Sequence, residues 1–222
     1  MSLPEIVTRE QWAAARTELL AREKQMTKAR DELSAARRRL PMVEMTKDYR
    51  FMGPGGEVGL IDLFEARHQL VVVHFMFDPS WEDGCPSCTA GADEVAPGLI
   101  KHLNARDTTL AYVSRAPLEK LEDYRARHGW SFPWYSSQGS DFNYDFHVTV
   151  DENVAPPEYN YRSKAEFERR QGSSFEFDGE YPGRSHFLRD GDRVFHTYSV
   201  YARGTETIGG SYYLLDETAL GR

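Results

Sequence analysis

The sequence predicts an α/β fold: a three-layer α/β/α sandwich around a mixed sheet, preceded by a long N-terminal helix. Three observations carry this. The nearly all-apolar run at residues 70–77 (LVVVHFMF) reads as a strand covered on both faces, as strands of parallel sheets are. From there to residue 136 strand-like and helix-like segments alternate as β-α-β-α-β, which favours parallel pairing with right-handed crossovers. In the C-terminal third, Asp190-Gly191 separates two strand-like runs, 185–189 and 193–199, and signals a hairpin.

The elements follow in order. Thr8 can cap a helix, with Gln11 completing a capping box. The run to Leu40 is rich in Ala, Arg, Glu and Leu, has no Gly or Pro, and stops at Pro41. Its large apolar residues recur every seven positions (Trp12, Leu19, Met26, Leu33, Leu40), with Ala15, Arg22, Ala29 and Ala36 between them. Such a seam packs either against a partner helix, making a homodimer arm, or across its own domain. Residues 1–44 are therefore assigned to a helical arm and 45–222 to the main domain. Residues 48–59 are turn-rich around Gly53-Pro54-Gly55-Gly56, and a short strand then leads to a single helical turn at Asp62-Leu63-Phe64. After strand 70–77 and a loop at 78–84, a helix runs from Pro86 to about Asn104, with Pro97-Gly98 expected to kink or break it. Residues 108–114 form the next strand. Pro117 opens a helix that reaches His128 and ends at Gly129, and 132–136 form another strand. An insertion at about 151–182 carries Tyr159, Tyr161, Phe167, Phe175, Phe177 and Tyr181, too many aromatics for a fully solvated loop. It is read as covering the sheet end, in the manner of a lid or of a peripheral ornament, with a short helix at 163–171. Residues 210–222 form a final helix or tail.

Composition excludes several function classes. A net charge of −8 argues against nucleic acid or an anionic membrane as the main partner. No stretch approaches the roughly 20 apolar residues of a membrane span. Residues 1–11 are polar and lack the apolar core of a signal peptide, so a cytoplasmic location is expected. Thiols stay reduced there, and closely spaced cysteines then suggest catalysis or metal rather than a structural bridge.

The chain has two cysteines, Cys85 and Cys88, in Cys85-Pro86-Ser87-Cys88 directly after the apolar strand and its loop. Parallel βαβ, then an antiparallel hairpin, with Cys-x-x-Cys opening the helix after the central strand, is a thioredoxin-like plan. A thiolate at a helix N-terminus is stabilised by unpaired backbone N–H groups and by the helix dipole.

The chain also resembles the bacterial thioredoxin-like proteins of domain-of-unknown-function family 899, predicted dithiol–disulfide oxidoreductases. The segments that carry the resemblance are RRRLPMV (37–43), HFMF (74–77), GCPSC (84–88), LNARDTTL (103–110), VSRAPLEK (113–120), the tryptophan- and proline-containing run 129–137, DFNYDFHV (141–148) and FHTYSVYARG (195–204). The resemblance implies the thioredoxin-like fold. Relatives typically carry an aromatic-containing run ending in Ala-Asp after the second cysteine, whereas here it is Thr89-Ala90-Gly91-Ala92-Asp93, which widens the surface beside the dithiol.

The leading expectation is thiol–disulfide exchange, with Cys85 at the loop–helix junction attacking and Cys88, one turn in, resolving the mixed disulfide. Pro86 suits the first helical turn, where its missing N–H costs nothing. Glu82 and Asp83 oppose a thiolate by like-charge repulsion. Thioredoxin-like enzymes place a cis-proline before the strand that faces the dithiol; here Arg184 and Ser185 stand there, with Pro182 upstream. Trp81 is expected to shield the dithiol and Arg115 to offer an anion contact. The implied partners are a protein or small-molecule disulfide and a cellular thiol reductant, and no cofactor is called for.

Three alternatives stay open. A peroxiredoxin-like peroxide reductase would need a Thr three residues before the cysteine and a Pro four before that, where this chain has Glu82 and Asp78. A copper- or zinc-binding protein could use Cys85, Cys88 and His186, with His74 the weaker candidate. A non-catalytic thioredoxin-fold module could assemble through its helical arm.

Overall fold

The computed structural model describes residues 4–171, 177–206 and 218. By its contacts the chain divides into Met1–Pro41 with Ser211–Arg222, and Met42–Gly210. In the first unit, α1 (Arg9–Arg37) has the expected capping box: Thr8 Oγ1 accepts the Gln11 amide at 3.3 Å, and Gln11 Oε1 accepts the Thr8 amide at 3.0 Å. The helix gives way to turns three residues before Pro41. None of its residues is buried.

The second unit is built on an eight-stranded mixed sheet. In chain order its strands are β1 (Val43–Glu44), β2 (Arg50–Gly53), β3 (Gly56–Gly59), β4 (Gln69–His74), β5 (Thr108–Ser114), β6 (Trp134–Ser136), β11 (Gly183–Asp190) and β12 (Arg193–Tyr201). They lie in the order β1-β12-β11-β4-β5-β6-β2-β3. β4, β5 and β6 are parallel, and the β11–β12 hairpin is antiparallel to β4. The hairpin turn is Gly191-Asp192, closed by the paired Asp190 and Arg193, with Gly191 at φ 59°. Two short pairs lie outside the main sheet: β7 (Thr149–Val150) with β10 (Gly179–Glu180), and β8 (Glu158–Tyr159) with β9 (Arg162–Ser163).

Helices cover both faces. On one face lie α2 (Pro86–Asp93), α3 (Pro97–Asn104) and α4 (Leu118–His128), packed over Phe75, Phe77, Tyr112, Phe132 and Trp134. The expected break at Pro97 separates α2 from α3, and α4 ends at Gly129 in the left-handed region. On the other face lie the 3₁₀ turn Asp62–Phe64, α5 (Phe142–Asp145) and α6 (Lys164–Gln171), around Leu70, Val72, Phe142, Phe146 and Phe187.

The structure changes three of the sequence expectations. The turn-rich segment 48–59 is a hairpin, β2–β3, and Met52 of β2 pairs with Ser136 of β6. Gly53 is required there because a Cβ would meet the Tyr135 ring at 2.8 Å. β1 pairs with β12, so residues 43 and 44 belong to the sheet rather than to an arm. Within the insertion, Tyr159, Phe167 and Phe177 are buried in the core with Phe142 and Phe146, the face opposite α2. Tyr161 is 66% exposed, and Phe175 lies outside the described residues, as does most of 210–222.

Candidate dithiol site

β4 ends at His74, and the chain continues through Met76 and Phe77 into the loop 78–84 before turning into α2. Cys85 is the N-cap of α2 and Pro86 its first residue, where a missing amide proton leaves no helical hydrogen bond unmade. The Cys85 amide donates to the Met76 carbonyl at 3.0 Å, fixing the cap against the strand extension. Thr89 locks the first turn: its amide and hydroxyl both reach the Cys85 carbonyl, at 2.9 and 3.0 Å, and its hydroxyl meets Tyr124 Oη of α4 at 2.9 Å.

Both cysteines are free thiols, partly buried. The Cys88 thiol donates a hydrogen bond to the Cys85 sulfur and is the largest influence on it. Together with the Cys88 and Ser87 amides and the Ser87 hydroxyl, it outweighs partial burial and lowers the Cys85 pKa to about 6. The same hydrogen bond, and deeper burial, hold the Cys88 thiol far above its ordinary value, against a smaller opposing pull from the Met76 amide. The pair is therefore asymmetric: an outer sulfur disposed to ionise and an inner one that keeps its proton.

Glu82 and Asp83 are exposed, and Asp83 pairs with Arg127 at 2.7 Å. The loop is anchored from α4 and from the residue after β5. Lys120 Nζ donates to the Pro79 and Trp81 carbonyls at 2.9 and 2.7 Å. Arg115 binds Asp78 at 2.5 Å, Glu180 at 2.7 Å and Tyr144 Oη at 2.8 Å. Gly84 has no room for a side chain, since a Cβ would stand 2.5 Å from the Phe75 ring.

The other expected site residues divide. Pro86 and Ser87 are exposed beside the dithiol. Trp81 is 37% exposed, held by its carbonyl rather than packed into the core. Arg115 has all three guanidinium nitrogens engaged within the protein, and so serves as a structural node rather than as an open anion contact. Arg184 pairs across to Val73, on the face that packs against Cys88. Burial holds the Tyr112 phenol well above its ordinary value; Cys88 adds to this and Arg184 opposes it, so both act on the same ring.

Ser185 does not line the dithiol cleft as the sequence suggests. It pairs with Val72 and points into the opposite core, where Oγ meets His74 Nε2 and Ser199 Oγ, both at 2.8 Å. Strand alternation sends neighbours 184 and 185 to different faces. His74 lies on that opposite face too, pushed down to about 3 by burial and, secondarily, by His196, and so is neutral. Among the described residues no three His, Cys, Asp or Glu side chains gather into a group able to hold a metal ion, so His186 does not complete a ligand set with the cysteines. Lys120, Glu180 and Gly84 were not singled out by sequence reasoning. Only Gly84 and Lys120 carried a signal, through the GCPSC and VSRAPLEK segments.

Comparison with solved structures places this architecture. Two structures of peroxiredoxin Q from Xanthomonas campestris, one of them a cysteine-to-serine mutant, match at 15% identity and a TM-score of 0.50, covering 73% of this chain and 86% or 87% of theirs. Peroxidoxin BcpB from Mycobacterium tuberculosis matches at 16% identity and a TM-score of 0.47, covering 74% of this chain and 85% of its own. At 15% identity the likeness to the two peroxiredoxin Q structures is one of fold, and the fold is thioredoxin-like. No curated protein matches the sequence. The family described as bacterial protein of unknown function (DUF899) matches residues 1–222, and the chain belongs to it.

Proposed function

We propose that this family member is a thiol–disulfide oxidoreductase in which Cys85 attacks and Cys88 resolves. The observation that carries the reading is the asymmetric sulfur pair at the start of α2, with Cys85 lowered to about 6 and Cys88 held protonated behind it. The Cys85 thiolate attacks one sulfur of a substrate disulfide, forming a mixed disulfide and expelling the other sulfur as a thiolate that takes up a proton. Once Cys85 is bonded, the hydrogen bond that held the Cys88 proton is gone. Cys88 then ionises and attacks the Cys85 sulfur, releasing the second substrate thiol and leaving a Cys85–Cys88 disulfide. Two electrons have passed to the substrate, and a cellular thiol reductant restores the dithiol.

The partners are accordingly a protein or small-molecule disulfide and a thiol reductant, in a reducing compartment such as the cytoplasm. The exposed, uncharged surface of Pro86 and Ser87, with Arg184 on the same sheet face as Cys88, supports docking beside the dithiol. No described helix is long and apolar enough to cross a membrane. Peroxide reduction has less support. Asp78 is tied to Arg115, and Glu82 is an exposed carboxylate where a hydroxyl would be needed.

The test combines labelling with turnover. Iodoacetamide labelling of the reduced protein should half-saturate Cys85 near pH 6, leaving Cys88 unlabelled through neutral pH. Insulin disulfides should be reduced by the wild type and not by Cys85→Ser, and Cys88→Ser should accumulate a mixed disulfide. Labelling of both thiols only above pH ~8.5, the range of an ordinary cysteine, with insulin untouched, sinks the proposal. Consumption of hydrogen peroxide faster than insulin reduction would transfer the site to peroxide chemistry.

A further inference from the structure

α1 is a 29-residue helix that buries none of its residues. Trp12, Leu19, Met26 and Leu33 are 46% to 64% exposed and recur every seven residues, so they form one continuous stripe along a helix about 43 Å long. Three residues after each comes Ala15, Arg22, Ala29 or Ala36. These are the two inner positions of a heptad seam, one bulky and one small.

From this pattern we infer that α1 pairs with α1 of a second copy of this chain, antiparallel, about a two-fold axis that passes at the level of Lys24. The orientation follows from size and charge. In a parallel pair each inner residue meets its own copy, which sets bulky against bulky, leaves gaps between alanines, and opposes Arg22 to Arg22 in the seam. In an antiparallel pair each bulky position meets a small one. Trp12 falls opposite Ala36, Leu19 opposite Ala29, Met26 opposite Arg22, and Leu33 opposite Ala15, all in a single register and each twice by symmetry. Arg22 then lies along a methionine, where its aliphatic stem covers apolar surface and its head reaches water. The alanines allow the close approach that lets the bulky side chains bury. The surface is self-complementary, as a two-fold interface must be. The inference does not depend on the dithiol chemistry.

The full-length chain tests it. Sedimentation over a micromolar concentration series should give a dimer, and Leu19→Glu with Leu33→Glu should give a monomer of unchanged helix content by circular dichroism. Spin labels at Gln11→Cys, in a Cys85→Ser/Cys88→Ser background, should lie about 40 Å apart, since 26 residues of rise separate them in this register. Labels at Gln25→Cys should lie close together. A monomer at every concentration would mean that the stripe serves no second copy. A dimer that survives the double glutamate variant would place the interface elsewhere, and a short Gln11 distance would make the pair parallel. Each of these results overturns the proposal.

Discussion

Arg115 shows what a single residue does in this molecule. It follows β5 and holds three groups from three parts of the chain: Asp78 at the head of the dithiol loop, Tyr144 of α5, and Glu180 of β10. Glu180 is almost fully buried, and burial raises its pKa even though Arg115 and Thr149 pull it down. Asp78 is pushed up by burial, but the Ser80 hydroxyl and amide and the Arg115 guanidinium together bring it below its ordinary value. Arg115→Ala should therefore strand a buried carboxylate and cost about 3–5 kcal/mol at pH 7. The pH dependence has a definite sign. Without Arg115 the folded Glu180 pKa rises further above its unfolded value, so folding favours the protonated acid. The loss should be full above the raised folded pKa, shrink as pH falls from there towards the unfolded value of ~4.3, and be gone from this source below it. Urea unfolding of variant and wild type at pH 7 and pH 4 measures this, and an equal deficit at both would mean that Glu180 is not the stranded group. From the sequence, Arg115 reads as an anion contact. Its role needed the positions of Asp78 and Glu180, residues 37 and 65 away.

At the scale of the element, the loop 78–84 and the first turn of α2 are both tied to α4. Lys120 clamps two of the loop's carbonyls, Thr89 fixes the turn to Tyr124, and the Gly84 backbone lies directly against the Phe75 ring. Phase matters more than proximity here. A methyl group at Gly84 must push back Phe75, which itself packs edge-on to Trp134 at 4.8 Å. Gly84→Ala is expected to cost about 1–3 kcal/mol by overpacking and to move Cys85 off its cap. Its alkylation midpoint should then shift towards that of an ordinary thiol. An unchanged midpoint in a destabilised protein would show that the cap survives the strain. The same consideration of phase explains how well individual elements could be read. β4 and β5, Asp62-Leu63-Phe64, α4 with Gly129 and the capping box of α1 announce themselves by apolar run or end signal. The β2–β3 hairpin does not, because its four glycine- and proline-rich central residues look like a loop and its strands are four residues long. Ser185 stands one residue of strand alternation from Arg184, which is enough to put it in the other core.

The second unit sets the dithiol at the start of α2, after the carboxyl end of a central strand, with Tyr159, Phe167 and Phe177 of the insertion packed on the opposite face of the sheet. That layout was legible because the parallel order and the hairpin signal are local in sequence. The face covered by the insertion was not, since its aromatics could have packed on either side. One global property follows from the site. The Cys85 pKa is lowered in the folded protein, so the thiolate is favoured by the native state and folding is linked to its ionisation. A depressed acid contributes stability that is fully present above the unfolded pKa and lost as pH falls through the folded one. The reduced protein should therefore gain stability over Cys85→Ser as pH rises from about 6 towards the ~8.5 of an unfolded cysteine. No difference from this source should remain at pH 5. The Cys85–Cys88 disulfide has no thiolate to stabilise, so its stability should not follow this curve. Stabilising the reduced form also makes the disulfide the better oxidant, as linkage requires. Urea denaturation of the reduced protein, the oxidised protein and Cys85→Ser at pH 5 and pH 8.5 would measure both effects. If the reduced protein and the serine variant keep a constant difference across that range, the native fold does not favour the Cys85 thiolate, and the asymmetry of the pair must come from burial of Cys88 alone.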